Sequence, residues 1–335
     1  MKISIIIPVY NKSKYLRTIL SQVRDQSFAD FECLLIDDGS SDDSGIICDE
    51  FAAIDERFKV FHIKNGGVSH ARNVGLDSAA GEYITFIDAD DEINREYLEN
   101  LIKCITENNT DIVISGIEKN WLNSDKKQYF RYTQKGVIHK NDILPTFAAV
   151  QKQTGMFGFC VGKLIRSETI TGIRFDTGLK LAEDFDFYLK LYDRINTFYF
   201  DDECYYYYLQ EAENSSVSND DKIDYLAQLK INLRYRDFLI KQNAYSGENK
   251  AIVEKKLSDY VYFVLFHTPL SLYDERFEAV YKLYREEGIS LLADGLFAKI
   301  LFCCLNRNKC KLAKAAVIFY RSARKLKRAV KKDGE

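Results

Sequence analysis

Several things are missing from this chain, and each absence removes a class of function. Excess charge is one: Lys and Arg total 47 against 50 Asp and Glu, a formal net charge of -3. Bulk charge therefore gives no reason to expect nucleic acid as a partner. The eight cysteines include no C-x-x-C pair, so a zinc site is not expected. They are scattered through apolar segments, as reduced core thiols would be, which points to a reducing, cytoplasmic compartment. The opening MKISIIIPVYN is broken by Pro8 before it reaches the length of a signal-peptide core. No uninterrupted apolar run approaches the roughly 18 residues needed to cross a bilayer. Internal repeats and low-complexity tracts are lacking too.

What is present fits a globular protein. The 335 residues are 46% hydrophobic, enough for one large domain and a smaller one. There are 22 Tyr and 22 Phe but a single Trp, and most of these rings should belong to the core. The first hundred residues alternate strand and helix signals. Ile3–Val9 is a short β-branched run, typical of a strand buried on both faces. Ser13 offers an N-cap to a helix with Leu16, Ile19, Leu20 and Val23 on one side. Strands follow over Phe31–Ile36, Phe58–Ile63, Tyr83–Ile87 and Asp111–Ile117, with helices between them. Such alternation implies parallel β-α-β units in an α/β sheet.

In these sheets ligands bind beyond the carboxyl ends of the strands. Polar residues gather at four such ends: Asn11, then Asp37 and Asp38, then the Asn65–Asn73 loop, then Asp88–Asp91. The last, FIDADDEIN, has two readings on its own. It is an acidic turn capping the next helix, or its carboxylates hold a divalent cation, for which Mg²⁺ and Mn²⁺ favour oxygen ligands. From about Lys222 the chain reads as helical, with a boundary near Asn219. Arg307 to Lys332 carries eleven Lys and Arg and no acid. Leu312, Ala316, Phe319, Ala323, Leu326 and Val330 form one stripe there. That tail suits a basic amphipathic helix on an anionic membrane surface. Docking on its own domain, or on a second subunit in a homo-oligomer, is the competing use.

The segments IIIPVYNKSKYL, LLIDDGSSDDS, NGGVSHARNVGL, GEYITFIDADD and LAEDFDFYLKL occur in that order. Through them the chain resembles the family 2 glycosyltransferases, inverting enzymes of the GT-A fold that use nucleotide-sugar donors. The resemblance is close over about the first 110 residues and looser to about Ser218. It implies a catalytic domain over 1–218, with 1–110 binding the nucleotide-sugar and 111–218 on the acceptor side. A helical C-terminal region over 219–335 would follow, with the basic tail at 307–332. Pro8, Tyr10, Asn11, Asp37 and Asp38 would then bind the donor, with Arg72 toward the base or the diphosphate. Asp88 would contact the nucleoside and Asp90 would hold Mn²⁺ or Mg²⁺. Asp184 would be the general base, and Glu183 would touch the acceptor or steady the base.

Departures stand at Val161 and Gly162, where relatives often have Trp or Asn, and at Gln210, where many have Arg. Lys163, between these, reads as a solvated loop lysine, and Asp91 as the cap of the following helix. The Q-x-x-R-W signature of processive synthases is absent. Expected, then, is transfer of one sugar from a UDP-sugar (the UDP-Gal, UDP-Glc or UDP-GlcNAc class) to a surface glycan on a lipid carrier at the inner face of the membrane. A glycoprotein acceptor, or a non-catalytic GT-A scaffold in an assembly complex, is the alternative. A sugar nucleotidyltransferase is disfavoured because PVYNKSKYL has no Gly-rich loop.

Overall fold

A computed structural model describes residues 2–122, 124–210, 224–267, 273–292, 299, 301, 303, 305 and 311–319. The chain begins with β1 (Ile3–Val9), α1 (Ser13–Arg24), β2 (Phe31–Asp37), α2 (Ser44–Ile54), β3 (Phe58–His62), α3 (Val68–Ser78) and β4 (Tyr83–Phe86). Next come the two-residue β5 (Glu92–Ile93), α4 (Tyr97–Asn108) and β6 (Ile112–Trp121). The irregular middle resolves into β7 (Lys127–Phe130), β8 (Gly136–His139), the single turn α5 (Lys140–Ile143), α6 (Phe147–Thr154), β9 (Lys163–Arg166), the single turn α7 (Ser167–Ile170), α8 (Glu183–Tyr192) and β10 (Thr197–Gln210). Three longer helices follow: α9 (Tyr225–Lys241), α10 (Gly247–His267) and α11 (Tyr273–Glu286).

The sheet order is β3-β2-β1-β4-β9-β6-β10-β5, with β7 beside β6 and β8 beside β10. Pairings β1–β2, β2–β3, β1–β4 and β6–β10 are parallel. Strand β9 runs antiparallel to both its neighbours, β4 and β6. This is the mainly parallel α/β sheet expected. Strands β1 and β2 are apolar because helices cover both faces, and Ile3, Ile5, Ile6, Ile7, Leu34 and Leu35 are fully buried. The stripe of α1 behaves as its spacing predicts: Leu16, Ile19, Leu20 and Val23 are all buried.

Ser13 is not the N-cap its position suggests. It is the first helical residue, and no side chain of its own caps α1. The start of α2 and the loop before it do that work from a distance: Lys12 N–H donates to Ser44 Oγ at 2.8 Å and Ser13 N–H to Asp42 Oδ2 at 3.1 Å. The ends of β1 and β2 are thereby tied together.

By packing, the chain divides into two units, Met1–Ser218 with Phe238–Ala244, and Asn219–Asp237 with Tyr245–Glu335. The first holds the sheet. The second is helical, with Val253, Leu257, Val261 and Val264 of α10 buried. Ion pairs there include Arg236–Glu287 at 2.5 Å and Arg276–Asp224 at 2.8 Å. Much of the basic tail lies outside the described residues. Within 311–319, Ala313 and Val317 are buried, while Leu312 and Phe319 of the anticipated stripe are exposed. Among the described residues no helix is long and apolar enough to cross a membrane.

Candidate active site

The parallel strands β1, β2 and β4 end on one edge of the sheet, and a cavity of about 480 Å³ opens there. Pro8 and Val9 line it from β1, Tyr10 and Asp38 from just beyond β1 and β2, and Asp88, Ala89 and Asp90 from beyond β4. The β3–α3 loop and the first turns of α3 close another side with Asn65, Gly67, Val68, Ala71 and Arg72. Tyr10 remains about half exposed. Helix α3 can press this close because Gly75 has no side chain: a Cβ there would stand 2.4 Å from Ile6 Cγ2 on β1.

The two aspartates after β2 have different surroundings. Asp38 accepts the backbone N–H groups of Gly66 and Gly67, one on each oxygen, both at 2.8 Å. That clamp shapes the loop at Gly67, whose φ of 87° is left-handed territory that glycine enters freely. Asp37 is absent from the cavity wall. Its carboxylate faces His62 Nδ1 at 2.8 Å and accepts Ser40 N–H at 3.0 Å. Asn11, also off the wall, adopts φ 51° and accepts Ser41 N–H at 2.8 Å. Both therefore steady the Gly39–Ser41 turn.

Arg72 is the hub. Its guanidinium is buried, 5.4 Å from the centre of the Phe175 ring. It donates to Asp88 Oδ1 at 3.1 Å, Asp184 Oδ1 at 2.5 Å and Glu183 Oε1 at 3.3 Å. Two acidic segments about a hundred positions apart thus meet on one cation. A planar fork with several donors is suited to this. Three carboxylates on one guanidinium leave the cluster net negative.

Glu183 and Asp184 open α8, where the helix N-terminus favours negative charge. The residue before them, Ala182, holds φ 60°, a conformation a residue with a Cβ seldom adopts. Tyr188 and Tyr192 pin α8 by donating their hydroxyls to Cys160 O and Phe157 O, each at 2.9 Å. Burial pushes the Asp184 carboxyl up to about 6, with Arg72 and Lys163 opposing and Glu183 reinforcing. Lys163 is not the solvated loop lysine its sequence context suggests. It lies on β9, is buried, donates to Phe159 O and sits 3.9 Å from the Tyr188 ring centre. Burial lowers its ammonium to about 7.

Asp91 does not cap the following helix. Helix α4 starts six residues later, at Tyr97, and Asp91 is buried. The Tyr206 hydroxyl donates to Asp91 Oδ2 at 2.6 Å and accepts Asp88 N–H at 3.0 Å, while Leu209 N–H donates to Asp91 Oδ1 at 3.0 Å. Asp91 thus ties the Asp88–Asp91 turn to β10. Burial raises its carboxyl well above the usual range, with Asp88 adding to the effect.

Asp90 points the other way, toward the cavity, and pairs with the Lys12 ammonium. A cation already satisfies this carboxylate, and its hard oxygens are the donors Mg²⁺ and Mn²⁺ take. Among the described residues no three His, Cys, Asp or Glu side chains form a metal cage. The donor set fits the shared kind of site, in which one or two carboxylates are completed by substrate phosphates and water. Asp90 could hold such an ion.

Glycosyl transferase family 2 matches residues 4–176 of the chain. The protein belongs to glycosyl transferase family 2. The matched span runs from β1 past Arg72 and the Asp88–Asp90 turn to Asp176, short of Asp184. Glycosyltransferase GlyA of Streptococcus pneumoniae is 37% identical over 188 residues, 55% of this chain and 27% of GlyA. Glycosyltransferase GlyG of the same species is 34% identical over 190 residues, 54% of this chain and 62% of GlyG. The chain therefore spans less than two thirds of both. A cholesterol galactosyltransferase from Borreliella burgdorferi is 28% identical over 298 residues, 87% of this chain and 82% of that protein. In three dimensions S. aureus TarS, crystallised with UDP-GlcNAc, superposes with a TM-score of 0.65 at 22% identity, covering 96% of this chain and 92% of that one. The fold is that of a GT-A member of family 2.

Within this family 2 fold, three residues that sequence reading did not single out hold the site together. Asn73 bridges the backbone of Phe175 in both directions at 2.9 Å, fixing the ring against Arg72. Tyr206 links Asp88 to Asp91, and Lys12 neutralises Asp90. A usable signal existed for Asn73, which adjoins Arg72 in ARN. Tyr206 was hidden in a run of four tyrosines.

Proposed function

We propose that this protein is an inverting glycosyltransferase that moves one sugar from a UDP-sugar to an acceptor hydroxyl, with Asp184 as general base. The observation that carries this reading is the Arg72 bridge, which joins Asp88 at the cavity to Asp184 at the start of α8. One guanidinium thus sets the spacing between the donor cavity and a carboxylate suited to take a proton.

Pro8, Val9, Tyr10 and Asp38 form the nucleoside cradle, with a tyrosine ring for the base and a carboxylate able to accept an imide N–H. Asp37 and Asn11 support it through the Gly39–Ser41 turn. Asp88 faces the nucleoside, and Arg72 faces the diphosphate. A divalent cation on Asp90, when bound, supplies charge neutralisation for the departing nucleoside diphosphate. Asp184 takes the proton of the acceptor hydroxyl as that oxygen attacks the anomeric carbon. Attack from the face opposite the leaving group inverts the configuration, and no enzyme nucleophile is needed. At neutral pH a carboxyl titrating at about 6 is mainly ionised yet more basic than an ordinary aspartate. Glu183 shares Arg72 and keeps that base in register.

The glycosyltransferases among its relatives support transferase activity, and the galactosyltransferase puts a galactosyl donor in the assay. A panel of UDP-Gal, UDP-Glc and UDP-GlcNAc with Mn²⁺, scored for slow donor hydrolysis, tests the reading. Asp90→Ala should abolish the metal-dependent part of the turnover, and full turnover in that variant would remove the metal assignment.

A further inference from the structure

The end of the sheet beyond the Asp88–Asp91 turn carries a feature the donor site does not use. Tyr208 on β10 stands in register with Lys119 on β6, and Gln210 with Trp121. Residues 119 and 121 share one face of the strand. The Lys119 ammonium is 4.8 Å from the Trp121 ring centre and 5.3 Å from that of Tyr208. Lys126, after the turn, places its ammonium 4.4 Å from the same Trp121 ring. Two ammonium groups therefore lie over one indole. Neither has a carboxylate partner among the described residues, since the nearby Glu118 is taken by Lys127 at 2.6 Å. Burial and the charge of Lys126 both work against the Lys119 cation.

Two like charges with no carboxylate partner among the described residues are unfavourable together until an anion arrives. The indole is half-buried, so a sugar can lie against its open part. The place also suits an acceptor. Leu209, next to Tyr208, is bonded to Asp91, and the Tyr208 hydroxyl feels Asp91, Asp88 and Asp90. Trp121 is one strand repeat further on, about 7 Å at the usual rise.

We propose that Lys119, Trp121, Lys126 and Tyr208 form an acceptor subsite for a saccharide that carries a phosphate group. The sugar lies against the open part of the indole and the Tyr208 ring, and the two ammonium groups hold the phosphate. Calling it an acceptor site rests on the transferase reading above; the binding itself does not.

Trp121 is the only tryptophan in the chain, so its fluorescence reports this subsite directly. Glucose 6-phosphate should give a saturable change in the full chain, and glucose none. Lys119→Gln/Lys126→Gln should weaken the apparent affinity at least tenfold, and Lys119→Arg/Lys126→Arg should restore most of it. UDP-sugar hydrolysis in the Gln variant should match the parent protein, which also shows that it folds. Equal affinity for inorganic phosphate and glucose 6-phosphate would overturn the saccharide assignment. So would a response to phosphatidylglycerol vesicles alone, or an unchanged affinity in the Gln variant. Hydrolysis without any Trp121 response sinks this subsite only; a Trp121 response without hydrolysis sinks the transferase reading and leaves the phosphate site standing.

Discussion

Arg72→Met removes one cation from among three carboxylates and replaces it with a side chain of similar reach. Arg72 is 4% exposed at its side chain, and Asp88, Glu183 and Asp184 are 29%, 14% and 24% exposed. All three acids are thus shielded enough for the loss to register. Breaking a buried pair by deleting one partner costs about 3–5 kcal/mol, because the remaining charge stays buried. Part of that is relieved here by protonation, so a loss of about 3 kcal/mol at pH 8 is expected. The sign of the pH dependence follows. Burial already raises the Asp88 and Asp184 carboxyls, and without Arg72 to oppose it they titrate further above their unfolded values. The folded variant then binds more protons than the unfolded chain, and its stability rises as pH falls through those raised values. The deficit relative to the parent protein should therefore shrink between pH 8 and pH 5. Urea unfolding followed by Trp121 fluorescence measures it in the first unit. Adding Asp184→Asn to the variant should recover part of the loss, with a coupling of roughly 1–3 kcal/mol. A deficit under about 1 kcal/mol that does not change with pH would refute the hub.

Three further outcomes rest on the same geometry. Tyr206→Phe leaves Asp91 and the Asp88 N–H without their shared hydroxyl. It should cost roughly 1–3 kcal/mol and lower turnover without changing the solubility of the protein, as thermal melts and donor hydrolysis would show. The turnover of the parent should fall about tenfold per pH unit below an acidic limb near pH 6, because Asp184 must be a carboxylate to accept a proton. Lys163→Met, by deleting a charge that holds Asp184 down, should move that limb to higher pH. A limb that stays in place would separate Lys163 from the base.

Some of this was legible in the sequence for a physical reason. Strands β1, β2 and β4 are buried on both faces, so they read as unbroken apolar runs, and the polar residues at their ends stand out. Strands β7, β8 and β9 did not, because each is four residues long and β7 is largely exposed, which erases any period. The burial of Lys163 was not legible because it depends on a distant partner: the Tyr188 ring of α8 reaches its ammonium only in the fold. Asp91 was misjudged likewise, since its hydroxyl donor lies 115 positions away. Asp184 was legible as an acidic residue opening a helix, but nothing local revealed that Arg72 reaches it.

In the proposed mechanism Asp184 acts as a base after the donor has bound. The direct test compares Asp184→Asn with the parent protein for two quantities: calorimetric affinity for UDP in Mn²⁺, and transfer of the sugar from the best donor of the panel. UDP affinity should stay within about threefold, and transfer should fall by roughly 10²–10⁴-fold. Transfer near the parental rate, with UDP affinity intact, would contradict the mechanism.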